Sequence, residues 1–315
     1  MERAGSRGAV RARPRRARRI KSLDGCTRPG SRRVSASEVL SRPSPLPLYD
    51  SAAPRSWALE EARALWKYRG LVHELVVRDI KVRYKRSVLG IAWTMLAPLL
   101  NMVALTLVFS TILKQQIANY PVFFMTGAIF WAFFSQTTST AASQTQDSNE
   151  IAKRIYIPRS VFVASAIGVG LVNLALSIVP LLIILMVTHF PIYTTWFFLP
   201  VAVAIETLFA AGVGLWLFTF ASRFSDVREM YVVIVQTWFF LTPIVYHPAI
   251  VPPKFRFALW LNPVYYLVQT FRKPVYDGVL PSVALVAVSS ALSLVVFVSG
   301  WIYFAKRAER FAFHS

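Results

Sequence analysis

Between positions 65 and 84 the apolar residues Leu65, Tyr68, Val72, Val76, Ile80 and Tyr84 recur at steps of three and four. Lys67, Glu74, Arg78, Lys81 and Lys85 fall on the opposite side, which predicts a helix with one apolar face. The cations Lys81, Arg83, Lys85 and Arg86 close this segment, and after Ser87 the 26 residues 88–113 carry no charge. A hydrocarbon core about 30 Å thick needs roughly 20 apolar residues of helix, so the run is long enough to cross it. The pattern predicts a surface helix that feeds a first span without a break, with the four cations on the cytoplasmic side. Packing on a soluble core is the other use of such a helix, and a span that begins two residues after the cations leaves it little room.

A second span is expected over 121–142, after a short polar link holding Lys114. In its inner half Ser135, Thr137, Thr138, Ser139, Thr140 and Ser143 replace large apolar side chains, which suits close helix packing or a wet cavity. Residues 144–159, QTQDSNEIAKRIYIPR, form the longest internal polar stretch of the apolar part, with Lys153, Arg154 and Arg159 on the cytoplasmic side. Asp147 or Ser148 can cap a short helix there, before Pro158 and Arg159 restart a span.

The third span lies within 160–188, interrupted by Gly168, Gly170 and Pro180, and 189–196 carries no Lys or Arg, as an outside loop would. A fourth span over 197–221, a link with Arg223 and Arg228, and a fifth span ending at 246 follow. The cations of successive links alternate, which places the amino terminus inside. Two apolar pieces, 255–261 and 263–271, are each too short to span and stand beside prolines, so they are expected to dip into the membrane and return. Lys254, Arg256, Arg272 and Lys273 read as external charge in a longer loop. The sixth span, 282–305, ends at Lys306, Arg307 and Arg310 and returns the carboxyl terminus to the cytoplasm.

The expected fold class is therefore all-α integral membrane, with six transmembrane helices, an amphipathic N-terminal interface helix and two short re-entrant helices before the last span. It divides into a disordered basic tail (1–55), the interface helix (56–87), the six-span domain (88–305) and a cytoplasmic carboxyl tail (306–315).

Composition agrees: 55% of the 315 residues are hydrophobic and only 16% charged, too apolar for a soluble domain. A net charge of +20 raises nucleic acid as a partner, but residues 1–87 hold 22 Lys/Arg against 8 Asp/Glu, a net +14, and the rest only 13 against 7. The excess belongs mostly to one tail rich in Arg, Ser and Pro, read as a solvated cytoplasmic segment near anionic lipid rather than a nucleic-acid binder or a signal peptide. A single cysteine, Cys26, excludes an internal disulfide and a cysteine metal site.

No catalytic constellation appears: His73, His189, His247 and His314 are scattered, and no HExxH or GxxxxGK[ST] occurs, so no metal, no cofactor and no phosphate-loop ATP hydrolysis are expected of this chain. Glu206 is the one carboxylate inside a span; it is either a coupling group or a neutral or hydrogen-bonded side chain at a helix contact, and both readings stand. Trp93, Phe130, Trp131, Phe134, Trp238 and Phe239 could offer faces on which sugar rings stack, or serve as lipid-facing filler.

The block RDIKVRYKRSVLGIAWTMLAPLL (78–100) resembles the signature start of type 2 ABC transporter permeases, in the branch exporting polysaccharides such as O-antigen, teichoic acid and capsule. DSNEIAKRIYIPR (147–159), FSDVREMYVVIVQTWFFLTPIVY (224–246) and NPVYYLVQTFR (262–272) agree in order and spacing, so the resemblance covers about residues 60–310. It implies a homodimer of six-span subunits in the cytoplasmic membrane, joined to two copies of a separate ABC ATPase and moving lipid-linked glycans. It further implies that Arg78, Asp79, Lys81, Arg83 and Tyr84 belong to the interface helix. Asp147, Asn149, Glu150, Lys153, Arg154 and Pro158 would form the ATPase-coupling loop, and Trp93, Phe130, Trp131 and Trp238 are candidate channel aromatics. An integral membrane glycosyl- or acyltransferase would need clustered acids or a histidine at a membrane face, which are absent. An ion-coupled carrier would use Glu206, but no inverted repeat is evident.

Overall fold

A computed structural model describes residues 57–85, 90, 92–112, 117–152 and 157–308. The basic tail and the last residues of the chain lie outside these, and so do Lys153, Arg154 and the side chains of Trp93, Asp147, Asn149 and Glu150. Among the described residues every regular element is helical: α1 (Trp57–Lys67), α2 (Arg69–Tyr84), α3 (Ala92–Thr106) with a π-helical extension (Leu107–Ile112), α4 (Tyr120–Ala152), α5 (Ser160–Val187), α6 (Leu199–Ala221), α7 (Val227–Leu241), α8 (Arg256–Leu261), α9 (Pro263–Arg272) and α10 (Val283–Ala308).

Three segments are long and apolar enough to cross a membrane, Ser160–Val187, Thr194–Ala221 and Val283–Arg307. Their outward residues, among them Ile183, Met186, Val201, Leu294, Val295 and Val298, are exposed, as lipid-facing positions are. α4 is longer still, 33 residues, but its second half is diluted by Ser, Thr and Gln. α7 has 15 residues and α3 has 15 with Pro98 inside it.

Several expected boundaries are corrected. The surface segment is two helices that meet at Tyr68, just before Gly70, a poor helix former. Its apolar side is turned onto protein: Leu75 is buried with Val161, Phe162 and Phe304, and Leu65, Leu71 and Val72 pack against them. Nor does it pass unbroken into the first span, because Gly90, with φ +52, stands between α2 and α3 in a conformation no right-handed helix contains. Asp147 and Ser148 do not cap a short helix; α4 runs through both to Ala152, since no glycine or proline interrupts it after Gly127. Gly168, Gly170 and Pro180 do not interrupt α5. The two glycines are contact points instead, since a Cβ at Gly168 would stand 2.6 Å from Val76 on α2 and one at Gly170 would strike Thr137 on α4. The expected fifth span, α7, stops at Leu241, five residues early, because Thr242 is extended and Pro243 has no amide hydrogen to give.

The most extensive pairings are α6 with α10, α4 with α5 and α4 with α6. α6 and α10 meet backbone to backbone, as small residues allow: a Cβ on Gly212 would lie 2.6 Å from the Phe297 nitrogen, and one on Gly300 the same distance from the Gly212 oxygen. At one end of the bundle α1 is tied down twice. Glu61 accepts from the Ser160 amide at 3.4 Å, placing a carboxylate at the start of α5, and the Trp301 indole donates to the Ala58 carbonyl at 3.2 Å. α8, α9 and the 242–246 turn occupy the opposite end.

Candidate functional site

A cavity of about 910 Å³ lies among α3, α4, α5 and α7. Arg83, Tyr84 and Gly90 stand at one end, Val245 and Tyr246 at the other. The 12 positions from Phe124 to Gln136 on its α4 wall correspond to about 18 Å at 1.5 Å per residue. Along α4, Phe124, Ala128, Trp131 and Ser135 recur at three and four, which brings them to one helix face. Gln136 adds an amide, and Asn173 of α5 donates to its Oε1 at 2.8 Å. Asn101 on α3 and Ser177 on α5 complete a polar row on an otherwise apolar wall. Such a surface offers ring faces for the C–H side of a sugar and amides for its hydroxyls.

The candidate aromatics separate. Trp131 borders the groove, with its ring edge-on to Trp238 (6.3 Å) and Phe239 (5.7 Å). Trp238 is held behind it, its indole donating to Asn262 at 3.0 Å; the same Asn262 oxygen caps α9 at the Val264 amide. Phe130 points into the core, 1% exposed, beside Phe271. Phe109, Phe124 and Phe240 line the groove without any distinguishing sequence signal, because hydropathy does not tell a groove-facing ring from a lipid-facing one.

On α2, Arg78 pairs with Asp79 at 2.8 Å, and the second Asp79 oxygen accepts from Gln144 of α4 at 3.0 Å. Gln144 also meets Ser165 of α5, at 3.3 Å, so one amide joins three helices. Lys81 and Arg83 are exposed, Tyr84 is half-buried, and Pro158 is buried just before α5. Gln144 and Ser165 carry no sequence signal beyond being polar in an apolar neighbourhood.

Among the described residues two side chains that can carry charge, a glutamate and an arginine, are almost wholly enclosed. Glu206 is 0% exposed on α6, away from the groove, and neither carboxyl oxygen has a hydrogen-bond partner among the described residues. Arg272, expected as external charge, is 2% exposed. Its Nη1 donates to the Pro243 carbonyl at 2.8 Å and its Nη2 to that of Ile244 at 3.2 Å, while the guanidinium lies 3.9 Å from the centre of the Phe123 ring. The physical reason is local: α7 ends just before these carbonyls, which need donors, and α9 turns its last residue inward to supply them. No group of three His, Cys, Asp or Glu that could hold a metal occurs among the described residues.

Residues 71–276, which contain the whole groove, match the family model of the ABC-2 type transporter. The chain is 30% identical over 254 residues to the O-antigen export system permease protein RfbA of Myxococcus xanthus, covering 79% of this chain and 97% of that protein. It is 26% identical to the protein of the same name from Klebsiella pneumoniae, over 77% of this chain and 95% of that one. With the polysialic acid transport protein KpsM of Escherichia coli it shares 21% identity, over 76% and 93%. On the extent of these matches, the chain belongs to the ABC-2 type transporter family.

Proposed function

We propose that this chain is the membrane-spanning permease subunit of an ATP-driven exporter that moves a polysaccharide or lipid-linked glycan across the cytoplasmic membrane. The observation that carries the reading is the groove, whose lining combines Trp131, Phe239 and Phe240 with the side chains of Asn101, Gln136, Asn173 and Ser177. The relationship to export permeases, which spans nearly the whole of those proteins, supports the same cargo. In this family ATP hydrolysis belongs to a separate subunit.

In this reading α3 to α7 and α10 provide six spans, and α8 and α9 are short helices that dip in from the outer face. Both termini lie in the cytoplasm. Two copies face each other across the groove, and two ATPase subunits dock beneath, at the far end of α4 and the residues up to Pro158.

The test is reconstitution of the chain with its ATPase in vesicles, reading ATP-dependent movement of a labelled lipid-linked glycan. Replacing both members of the amide pair, Gln136→Leu with Asn173→Leu, removes two polar groups together, a change that can be nearly neutral for folding. Movement is expected to fall about tenfold, equivalent to about 1.4 kcal/mol, with assembly intact. Full movement by the double variant would remove the groove from the path.

A further inference from the structure

The turn 242–246 joins α7 to the segment leading to α8 and supplies Val245 and Tyr246 to the end wall of the groove. Short as it is, it is braced by three side chains from α4 and α9. Arg272 of α9 holds the carbonyls of Pro243 and Ile244, at 2.8 and 3.2 Å. Tyr120, at the start of α4, donates its hydroxyl to the Val245 carbonyl at 2.9 Å. Asn262, the cap of α9, donates to Thr242 Oγ1 at 3.0 Å. Thr242 and Ile244 are themselves wholly buried.

We propose that Arg272 is a positioning residue that holds this turn as the closure of the groove at its α9 end, so that releasing the guanidinium opens the groove to small solutes. Its chemistry is specific to the task. A guanidinium is a flat fork of donors that can reach two consecutive carbonyls while its face rests on an aromatic ring, and an ammonium on a flexible stem cannot do both. Among the described residues no carboxylate comes within ion-pair distance of Arg272; Asp277, at the end of the following turn, offsets its charge only from farther away, and a buried cation so weakly paired is a costly way to hold a turn for stability alone. α4 is shaped to admit it as well: Gly127 leaves the space that Nη2 occupies, since a Cβ there would collide with that nitrogen and crowd Ile244 at 3.0 Å. Phe123 and Gly127, one helical turn apart, thus form a seat for one side chain of another helix.

The inference rests on the reading of the groove as the path of transport, and its test uses no glycan. The full chain is reconstituted in vesicles loaded with a small hydrophilic dye, without ATP. Wild-type vesicles retain the dye. Arg272→Gln, which cannot span both carbonyls, and Gly127→Ala, which keeps the arginine but displaces Nη2, are each expected to raise efflux about tenfold, the order associated with removing a hydrogen bond to a charged group. The double variant leaks no more than the worse single one, because both act on one clamp. Efflux is compared at equal reconstituted amounts of protein that elutes as the wild type does. Should Arg272→Gln fail to fold, Gly127→Ala with Tyr120→Phe, which frees the Val245 carbonyl, decides the matter. Vesicles as tight as wild type for the folded variants would overturn the clamp while leaving the permease reading untouched; absence of glycan movement by the wild type would strike that reading instead.

Discussion

Gln144 Nε2 lies 3.0 Å from Asp79 Oδ2 and donates to it across 65 positions of sequence, fastening α2 to α4 while Ser165 ties the same amide to α5. The adjacent pair of Arg78 and Asp79 is partly exposed and worth about 0–1 kcal/mol. The donor from Gln144 therefore matters more. Removing it with Gln144→Leu withdraws a hydrogen bond to a charged group, about 1.5–3 kcal/mol, and lowers the thermal midpoint of the detergent-solubilised chain by several degrees. An unchanged midpoint would show that α2 is held by its apolar side alone.

Two glycines should respond in opposite senses. Gly212→Ala forces a Cβ to within 2.6 Å of the α10 backbone, an overpacking that costs about 1–3 kcal/mol. Gly70→Ala meets nothing within 4 Å and stabilises by about 0.4–1 kcal/mol through the unfolded chain. A midpoint that does not fall for Gly212→Ala would contradict the α6–α10 contact, and one that falls for Gly70→Ala would contradict the open space at Gly70.

Orientation is tested by labelling. In a background of Cys26→Ser, cysteine at Thr194 is expected to react with an impermeant external thiol reagent and cysteine at Ser225 is not; both positions are exposed. Reaction at Ser225 from outside would reverse the assignment of the two ends.

Charge at the end of α4 is the fourth test. Glu150→Ala with Arg154→Ala is expected to lower co-purification of the ATPase more than tenfold, since removing one side of a desolvated charge pair at an interface costs about 2 kcal/mol or more. Lys306→Ala with Arg307→Ala serves as the control and leaves co-purification unchanged. Full recovery of the ATPase with the Glu150 and Arg154 variant would exclude these charges as the docking site.

What the sequence disclosed depended on whether an element carried its own signal. α5, α6 and α10 are runs of apolar residues, and their bounds agree with the hydropathy pattern to within a few positions. α8 and α9 are marked off by Pro263 and a preceding asparagine, and both are helices. The second half of α4 is hidden, because QTQDSNEIA reads as a loop by hydropathy although nothing in it breaks a helix. Arg272 is hidden for the opposite reason. A lone cation beside Lys273 counts as exposed until the carbonyls of Pro243 and Ile244, 29 and 28 positions away, are seen to face it. Gly168 and Gly170 look like interruptions because propensity alone cannot show that another helix needs their missing side chains.

At 33 residues α4 is about 50 Å long, against a hydrocarbon core of about 30 Å. No proline follows Pro121 and no glycine follows Gly127, so its remaining 25 residues form one uninterrupted helix, with Thr138, Thr145 and Ser148 returning their hydroxyls to carbonyls of the preceding turn. It packs closely on α5 and α6. In the permease reading proposed above, the groove wall at Trp131 and the helix end at Ala152 thus belong to one element, 21 residues or about 30 Å apart, and a displacement of one is carried to the other through a single helix.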